Sequence, residues 1–531
     1  MNELESIFSS ASERANEEIQ TIDLDVINNL RVKITKIEGD QVFTEGISKT
    51  HEDLLGSHTV VTYPPLDALR EIDPSYYGDF FRGIKLGGEI DLYIHIPFCD
   101  YSCTFCGYTT LNTRTGGSTI SKYIDALKKE VRTWSTKFRD GKSKVRSLYI
   151  GGGTPFVLSP DTLEDLLLFV KQELPFTESP SICIETSPKM MKAEDNKEKL
   201  DMLVNNGLTR ISIGIQTFDY ETLRRIGRHF RGHTIDDEEN AARTLMNFAP
   251  HVNVDMMQDL PVYTTPNLER LKFDLLKIAE LKPHHVTWYN MRLRPERRKD
   301  YNVAEERESL LARLIIWNFM EEIGYTILEA DRFGLNENFE DSFRKTRGSV
   351  QTSLLGLGVS SYSHIGDIFF QNSRMIGESS RENSSAAIAE YLKAVEENGY
   401  AFKHAFDLTP EEILAGRFAL GLKKGFDVDK LVTDFCFTPT ADVYYTYTNP
   451  LVPQLVENGL VEVEGSNVRI TRKGRLWENE ICSLYYTPRV VKLAAERRGE
   501  LTPAQLRVWR WYEGQIAAKK TMSEQKNIIN W

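Results

Sequence analysis

The sequence predicts an α/β protein, a partial, TIM-like (β/α)6 barrel with an N-terminal appendage and a C-terminal winged-helix-like α+β domain. Two observations carry this expectation. Short apolar runs, "DLYIHI", "VRSLYIGG", "SICIET", "RISIGIQ", "HVNVDMM", "HVTWYNM" and "GYTILEA", alternate with amphipathic stretches such as "TISKYIDALKKEVRTWSTKF" and "SPDTLEDLLLFVKQEL". Runs of that length separated by helical stretches read as parallel strands joined by crossover helices, and six or seven units fit better than eight. The residues best suited to chemistry also stand where such folds place their sites, at the C-terminal ends of strands. Three cysteines follow "LYIHI", "GGGTP" follows "SLYI", and Glu185 ends "SICIE".

The elements follow in order. Residues 1–88 form the appendage, a charged helical start and then "LRVKITKIEGDQVFTEG", whose alternation around "EGDQ" reads as a hairpin. Residues 89–382 form the barrel. Residues 383–486 turn helical with "AAIAEYLKAVEENG", and "LVPQLVENGLVEVEGSNVRITRKGRLWENEICSLYY" then reads helix, strand, turn, strand, helix. In an acidic chain this unit is expected to be a lid rather than a DNA reader. Residues 487–531 read as an amphipathic helical tail.

At 531 residues the chain exceeds one ordinary core, and 41% apolar with 27% charged residues is the balance of a folded, water-facing protein. A net charge of -12 argues against a broad nucleic-acid or anionic-membrane footprint. The basic run "RLRPERRKD" reads as a solvated loop. No stretch approaches 18 uninterrupted apolar residues and the start is polar and acidic, so a cytoplasmic protein without a membrane span is expected. Cys183, Cys436 and Cys482 stand alone and read as small core residues, not as a disulfide framework.

The other three cysteines lie in "YIHIPFCDYSCTFCGYTT", spaced C-x3-C-x2-C. Zinc would want a fourth ligand, and the nearest candidate, His95, has its direction set by the strand before the loop. A [4Fe–4S] cluster on three cysteines leaves one iron open for a ligand. In "GGGTP" the glycines allow backbone N–H groups to approach a ligand closely, and Thr154 adds a hydroxyl. An acidic residue at a strand end, as Glu185 is, suits ribose hydroxyls.

"HIPFCDYSCTFCGY" together with "GGGTP", "IETSP", "GLTRISIGIQTFD", "VDMMQDLP" and "GLGVSSYSHIGD" resembles the radical S-adenosylmethionine superfamily, in its coproporphyrinogen-oxidase-like branch, from about Tyr93 to Tyr486. The resemblance implies a partial βα barrel in which Cys99, Cys103 and Cys106 hold a [4Fe–4S] cluster whose fourth iron is chelated by S-adenosylmethionine. It implies that Tyr93 and Glu185 serve that first molecule, and that Gly107 and Gly152 are also cofactor-binding. It further implies a second S-adenosylmethionine, at Phe105, Gly153, Thr154, Gln216, Arg228 and Asp255, with Arg292 and Tyr362 at two more ligand-lining positions that differ in residue type from the porphyrin-precursor enzymes. The coproporphyrinogen oxidases carry a fourth cysteine where this chain has Tyr108, and the related heme chaperones carry a His-Asn-x-x-Tyr-Trp motif that "FRKTRGSVQT" lacks. The anaerobic heme-opening methyltransferases share "CTFCG" but not "GLGVSSYSHIGD". On these departures the sequence is most similar to the class C methyltransferase and cyclopropanase group, so the expected reaction is transfer of one carbon to an sp2 carbon of a small molecule. Oxidative decarboxylation of the coproporphyrinogen oxidase kind is the alternative, and a heme chaperone or heme-degrading methyltransferase the second. A monomer served by a flavodoxin or ferredoxin electron donor is the implied working form.

Overall fold

A computed structural model of the chain describes residues 2–26, 62–260, 268–291, 306–335, 352–373, 381–427, 451–487, 489–490 and 493–494. The expected hairpin around "EGDQ", the basic run with Arg292, Cys436 and nearly all of the expected helical tail lie outside them. The chain divides into two compact units, one of residues 1–22 and 70–407 and another of residues 23–69 and 408–531.

The first unit is built on six parallel strands in chain order: β1 (Glu89–Ile96), β2 (Lys144–Gly152), β3 (Phe176–Thr186), β4 (Arg210–Gln216), β5 (His251–Gln258) and β6 (His285–Asn290). Each pairs with the next in parallel register. Among the helices between them are α2 (Thr113–Gly141), α3 (Pro160–Glu173), α4 (Asn196–Asn205), α5 (Asp237–Phe248) and α6 (Leu268–Leu281), with α7 (Glu306–Glu322) after β6; α1 lies at the start of the chain (Asn2–Gln20). The sheet is open, which makes this the partial barrel that the resemblance implies. Successive side chains of a strand point to opposite faces. Ile90, Leu92, Ile94 and Ile96 fill one face and are fully buried, while Tyr93 and His95 occupy the other with Tyr149, Glu185 and Asp255.

Two pairings depart from the expected series. The run "GYTILEA" is not a further parallel strand: Thr326–Glu329 turns back on Arg332–Gly334, which pairs antiparallel with β6, because a short turn rather than a crossover helix follows it. At the opposite side, β7 (Ser353–Leu357) lies parallel to β1, and the antiparallel β8 (Tyr362–Ile365), β9 (Ile368–Asn372) and β10 (Phe402–Asp407) extend the sheet.

The first helix is part of this unit rather than an appendage. Phe8, Ala11, Ala15 and Ile19, spaced three and four apart, make one buried stripe on α1. It meets α7: the Phe8 and Phe319 rings are 6.5 Å apart edge to face, and Asn318 Nδ2 donates to the Ala11 carbonyl at 3.3 Å. The second unit realises the predicted helix, strand, turn, strand, helix order. Helix Leu451–Glu457 precedes the hairpin Val461–Glu464 and Asn467–Ile470, to which Phe426–Asp427 adds a third strand. The buried Glu478 carboxylate is paired with Lys423 and Arg475, at 3.3 Å each.

A buried carboxylate on α2 ties β7 and β9 to the barrel. Glu130 is 1% exposed and accepts from the Gly358 N–H and Asn372 Nδ2, both at 2.9 Å, and from the Tyr391 hydroxyl at 2.8 Å. Beside it Tyr123 donates to the His95 carbonyl at 2.8 Å and accepts from the Val359 N–H at 2.9 Å. Gly358 has φ +93° and a Cβ there would stand 2.6 Å from the Tyr123 hydroxyl, so glycine is required on both counts. Burial pushes the Glu130 carboxyl up from 4.5 to about 7, against its three donors. The folded chain therefore takes up a proton that the unfolded chain lacks between these values. The contribution is full below the ordinary value and is lost as pH rises through about 7. Glu130→Gln cannot titrate. The melting temperature of the wild type minus that of the variant should fall between pH 4.5 and 8, and a constant difference would refute this coupling.

Candidate active site

The loop that leaves β1 is closed at its base by backbone. Phe98–Cys99 pairs with Leu111–Asn112, and the Leu111 N–H donates to the Pro97 carbonyl at 2.7 Å. The turn after β2 then packs directly on it, with the Gly153 N–H on the Ile96 carbonyl at 2.8 Å and the Thr154 N–H on the Phe98 carbonyl at 2.7 Å. A Cβ on Gly153 would lie 2.3 Å from the Phe98 oxygen, so only glycine permits the approach. Thr154 Oγ1 is 3.3 Å from Cys99 Sγ. The far side of the loop meets the turn after the Tyr220–Arg225 helix. The Thr104 N–H donates to the Ile226 carbonyl at 3.0 Å, and Gly227, at φ +75°, leaves 2.6 Å between an added Cβ and the Ser102 carbonyl.

Cys99, Cys103 and Cys106 thus share one loop, all partly buried and none in a disulfide. Burial, then the Asp100 carboxylate, pushes the Cys99 thiol up; burial, then Cys103, pushes Cys106 up to about 12. Left alone, the Cys99 and Cys106 thiols are protonated. Thiolates here need a positive partner, which the irons of a cluster would supply. Among the described residues no three His, Cys, Asp or Glu side chains gather as they would around a single metal ion. A cluster asks for something different, one thiolate at each of three separate irons.

The wall beside the loop comes from β1 to β3. Tyr93 and Tyr149 stack at 6.1 Å, and Cys183 and Leu354 complete a small apolar group with them. The Tyr93 hydroxyl is 3.1 Å from His95 Nδ1, and His95 Nε2 is 3.3 Å from the Thr109 carbonyl. A carbonyl can only accept, so Nε2 carries the proton and Nδ1 accepts from Tyr93. Burial holds His95 down to about 4, hence neutral. It is therefore a fixed spacer under the loop rather than a ligand. Glu185 is held by the Tyr149 hydroxyl at 2.7 Å and the Gly152 N–H at 3.0 Å, and Gly152, at φ +115°, wraps over the His95 ring.

Arg228 is 7% exposed. Its Nη1 is 3.6 Å from Cys103 Sγ, Nη2 donates to the Gly214 carbonyl, and the guanidinium lies 4.3 Å over the Tyr101 ring. Gln216 ends β4 at φ +73°, an uncommon conformation for a residue with a Cβ, beside Gly214. Asp255 is oriented by Ser212 Oγ at 2.9 Å and Asn253 Nδ2 at 2.8 Å. Phe105 packs with Tyr289 on the cluster of Leu223, Ile226, Met257, Leu260 and Met291. The structure gathers these residues at the C-terminal ends of β1 to β6. Gly107 is exposed with open space around it, and Tyr362 lies on β8, stacked on Phe369 at 5.5 Å. Tyr108 is 68% exposed at the rim of the loop. Sequence reasoning missed Tyr149, Gly227, Glu130 and Tyr101. Only Gly227, beside Arg228 in "RIGRHF", carried a readable signal.

Residues 93–261 match the radical SAM superfamily, and the six parallel strands with a three-cysteine loop after the first agree with that match. Such a domain uses a [4Fe–4S] cluster and S-adenosylmethionine, and the donor set described above fits them. Within that superfamily the chain is similar to the oxygen-independent coproporphyrinogen III oxidase of Salmonella typhimurium, 27% identical over 423 residues that cover 75% of this chain and 85% of that one. It is also similar to the heme chaperone HemW of Bacillus subtilis, 26% identical over 403 residues, covering 73% and 97%. The solved structure of the Escherichia coli coproporphyrinogen III oxidase HemN, described as a radical SAM enzyme, superposes with a TM-score of 0.66 at 25% identity, over 80% of this chain and 96% of that one.

These findings overturn the one-carbon transfer expected from the sequence. Relatives aligned over about three quarters of the chain include coproporphyrinogen III oxidases of Salmonella typhimurium and Cereibacter sphaeroides and the Bacillus subtilis heme chaperone, none of them a methyltransferase by name. The expectation hung on Tyr108 and a few absent motifs, and Tyr108 is an exposed rim residue. Replacing Cys99, Cys103 or Cys106 with Ala should abolish the brown iron–sulfur absorbance after anaerobic reconstitution; a full iron complement in any of the three would refute the ligand assignment. Gly153→Ala should cost more than about 2 kcal/mol, read by chemical denaturation, because the Phe98 carbonyl is backbone and cannot swing away.

Proposed function

We propose that the protein is a radical SAM oxidase that oxidatively decarboxylates a carboxylate-bearing porphyrin precursor, in the manner of the coproporphyrinogen III oxidases. One observation carries this reading. The similarity to those enzymes covers 75% of this chain and 85% of the Salmonella typhimurium enzyme, well beyond residues 93–261 of the superfamily match, so it includes parts outside the cofactor-handling core.

When bound, the cluster and S-adenosylmethionine supply a carbon radical able to take hydrogen from an unactivated carbon. The residues of the chain hold and orient that chemistry. Cys99, Cys103 and Cys106 would carry the cluster. Glu185, oriented at the end of its strand by Tyr149 and Gly152, would accept ribose hydroxyls. Tyr93, stacked on Tyr149, forms an apolar wall that keeps water from the reacting carbon. Phe105, Gly153, Thr154 and Gln216 would hold a second S-adenosylmethionine, with Arg228 suited to its carboxylate and Asp255 to its ammonium or sulfonium side. Tyr108, in the place of the fourth cysteine of those oxidases, changes the rim of the loop rather than its packed base. A flavodoxin or ferredoxin delivers the electron.

The similarity to HemW along 97% of that chain supports a second reading, heme binding without turnover. Anaerobic incubation of the reconstituted, reduced protein with S-adenosylmethionine and coproporphyrinogen III separates the two. The oxidase yields 5'-deoxyadenosine and carbon dioxide in step, with no S-adenosylhomocysteine. Retained heme without 5'-deoxyadenosine favours the chaperone and sinks the oxidase.

A further inference from the structure

We propose that Tyr101 is a positioning residue whose ring holds the Arg228 guanidinium against the Cys103 sulfur, and that it thereby helps set the reduction potential of the cluster. The inference rests on the reading of Cys99, Cys103 and Cys106 as cluster ligands.

Tyr101 lies between the first two cysteines. It is 6% exposed, and its buried hydroxyl has no close hydrogen-bond partner among the described residues, with the Lys189 backbone N–H facing it. The ring is well used. Arg228 lies 4.3 Å above its centroid, Phe230 meets it edge on at 6.2 Å, and the Lys189 ammonium stands 5.8 Å away. Lys189 also donates to the Asp100 carbonyl at 3.1 Å, which fixes the backbone just before the ring.

The guanidinium is planar, and the ring beneath it fixes the plane in which its N–H groups point. Nη2 then reaches the Gly214 carbonyl and Nη1 the Cys103 sulfur, 3.6 Å away. A hydrogen bond and a nearby positive charge both favour the more negative, reduced form of a thiolate-bound cluster and so raise its potential. Without the ring the long side chain keeps its charge but loses its aim.

The test uses the full-length, reconstituted protein and its Tyr101→Met, Tyr101→Phe, Arg228→Gln and Tyr101→Met/Arg228→Gln variants, in a mediated potentiometric titration followed by electron paramagnetic resonance. Methionine fills similar space without a π face. Tyr101→Met should lower the equilibrium constant for reduction about tenfold, about 59 mV for a one-electron couple. Tyr101→Phe should match the wild type, and Tyr101→Met should add nothing once Arg228 is Gln. An unshifted potential in Tyr101→Met, an equal shift in Tyr101→Phe, or a full shift that persists without Arg228 each overturns the proposal. A lower melting temperature in Tyr101→Met with an unchanged potential assigns the ring to packing alone. Iron and sulfide content of the wild type keeps the two readings apart: four of each per chain with no effect at Tyr101 defeats this proposal only, whereas no cluster defeats the ligand assignment itself.

Discussion

The site depends on the contact between two backbone turns at the ends of neighbouring strands. The Gly153 and Thr154 N–H groups reach the Ile96 and Phe98 carbonyls at 2.8 and 2.7 Å, a separation with no room for a side chain at residue 153. That contact places the Thr154 hydroxyl on Cys99 and closes the loop on one side. Gly227 does the same on the other side, against Ser102. Backbone carbonyls cannot retreat as side chains can, so a flexible-looking loop becomes a held one between two rigid turns.

Two carboxylates buried in the same unit are answered by neutral donors: Glu130 by an N–H, an amide and a phenol, and Asp274 by the Thr217 hydroxyl and the Phe218 N–H at 2.7 Å. Burial pushes both up to about 7. Around the cysteine loop, by contrast, stand two cations: Arg228 reaches the Gly214 carbonyl and the Cys103 sulfur, and Lys189 the Asp100 carbonyl and, at 3.8 Å, the Asp100 carboxylate.

The parallel strands were legible because both faces of each are covered, which leaves short continuous apolar runs in the sequence. The strand Ser353–Leu357 was not, since its partner is β1, about 260 positions earlier, and no local pattern specifies a neighbour so distant. The edge hairpin was misread for a related reason: "GYTILEA" has the composition of a strand, but composition does not give direction. In the site, the cysteine spacing and the glycines marked themselves, because thiols and missing side chains are rare enough to stand out. Glu130, Tyr149 and Tyr101 did not, since each is ordinary in its own segment and gains its role from a partner brought up by the fold. The reaction was misjudged where one exposed residue, Tyr108, outweighed a similarity spread over some four hundred positions.

The packing of α1 on α7 ties residues 307 positions apart, Ala11 and Asn318. During synthesis the first helix emerges long before the surface that receives it exists. Its apolar stripe must remain exposed, or be covered by something else, until the last βα unit is complete. Docking of α1 is therefore a late event, a contact of high sequence separation that forms only after the strands have assembled. The beginning of the chain thus reports on the completion of the barrel: a protease that cuts within α1 attacks chains whose final unit has not yet closed and spares those in which it has.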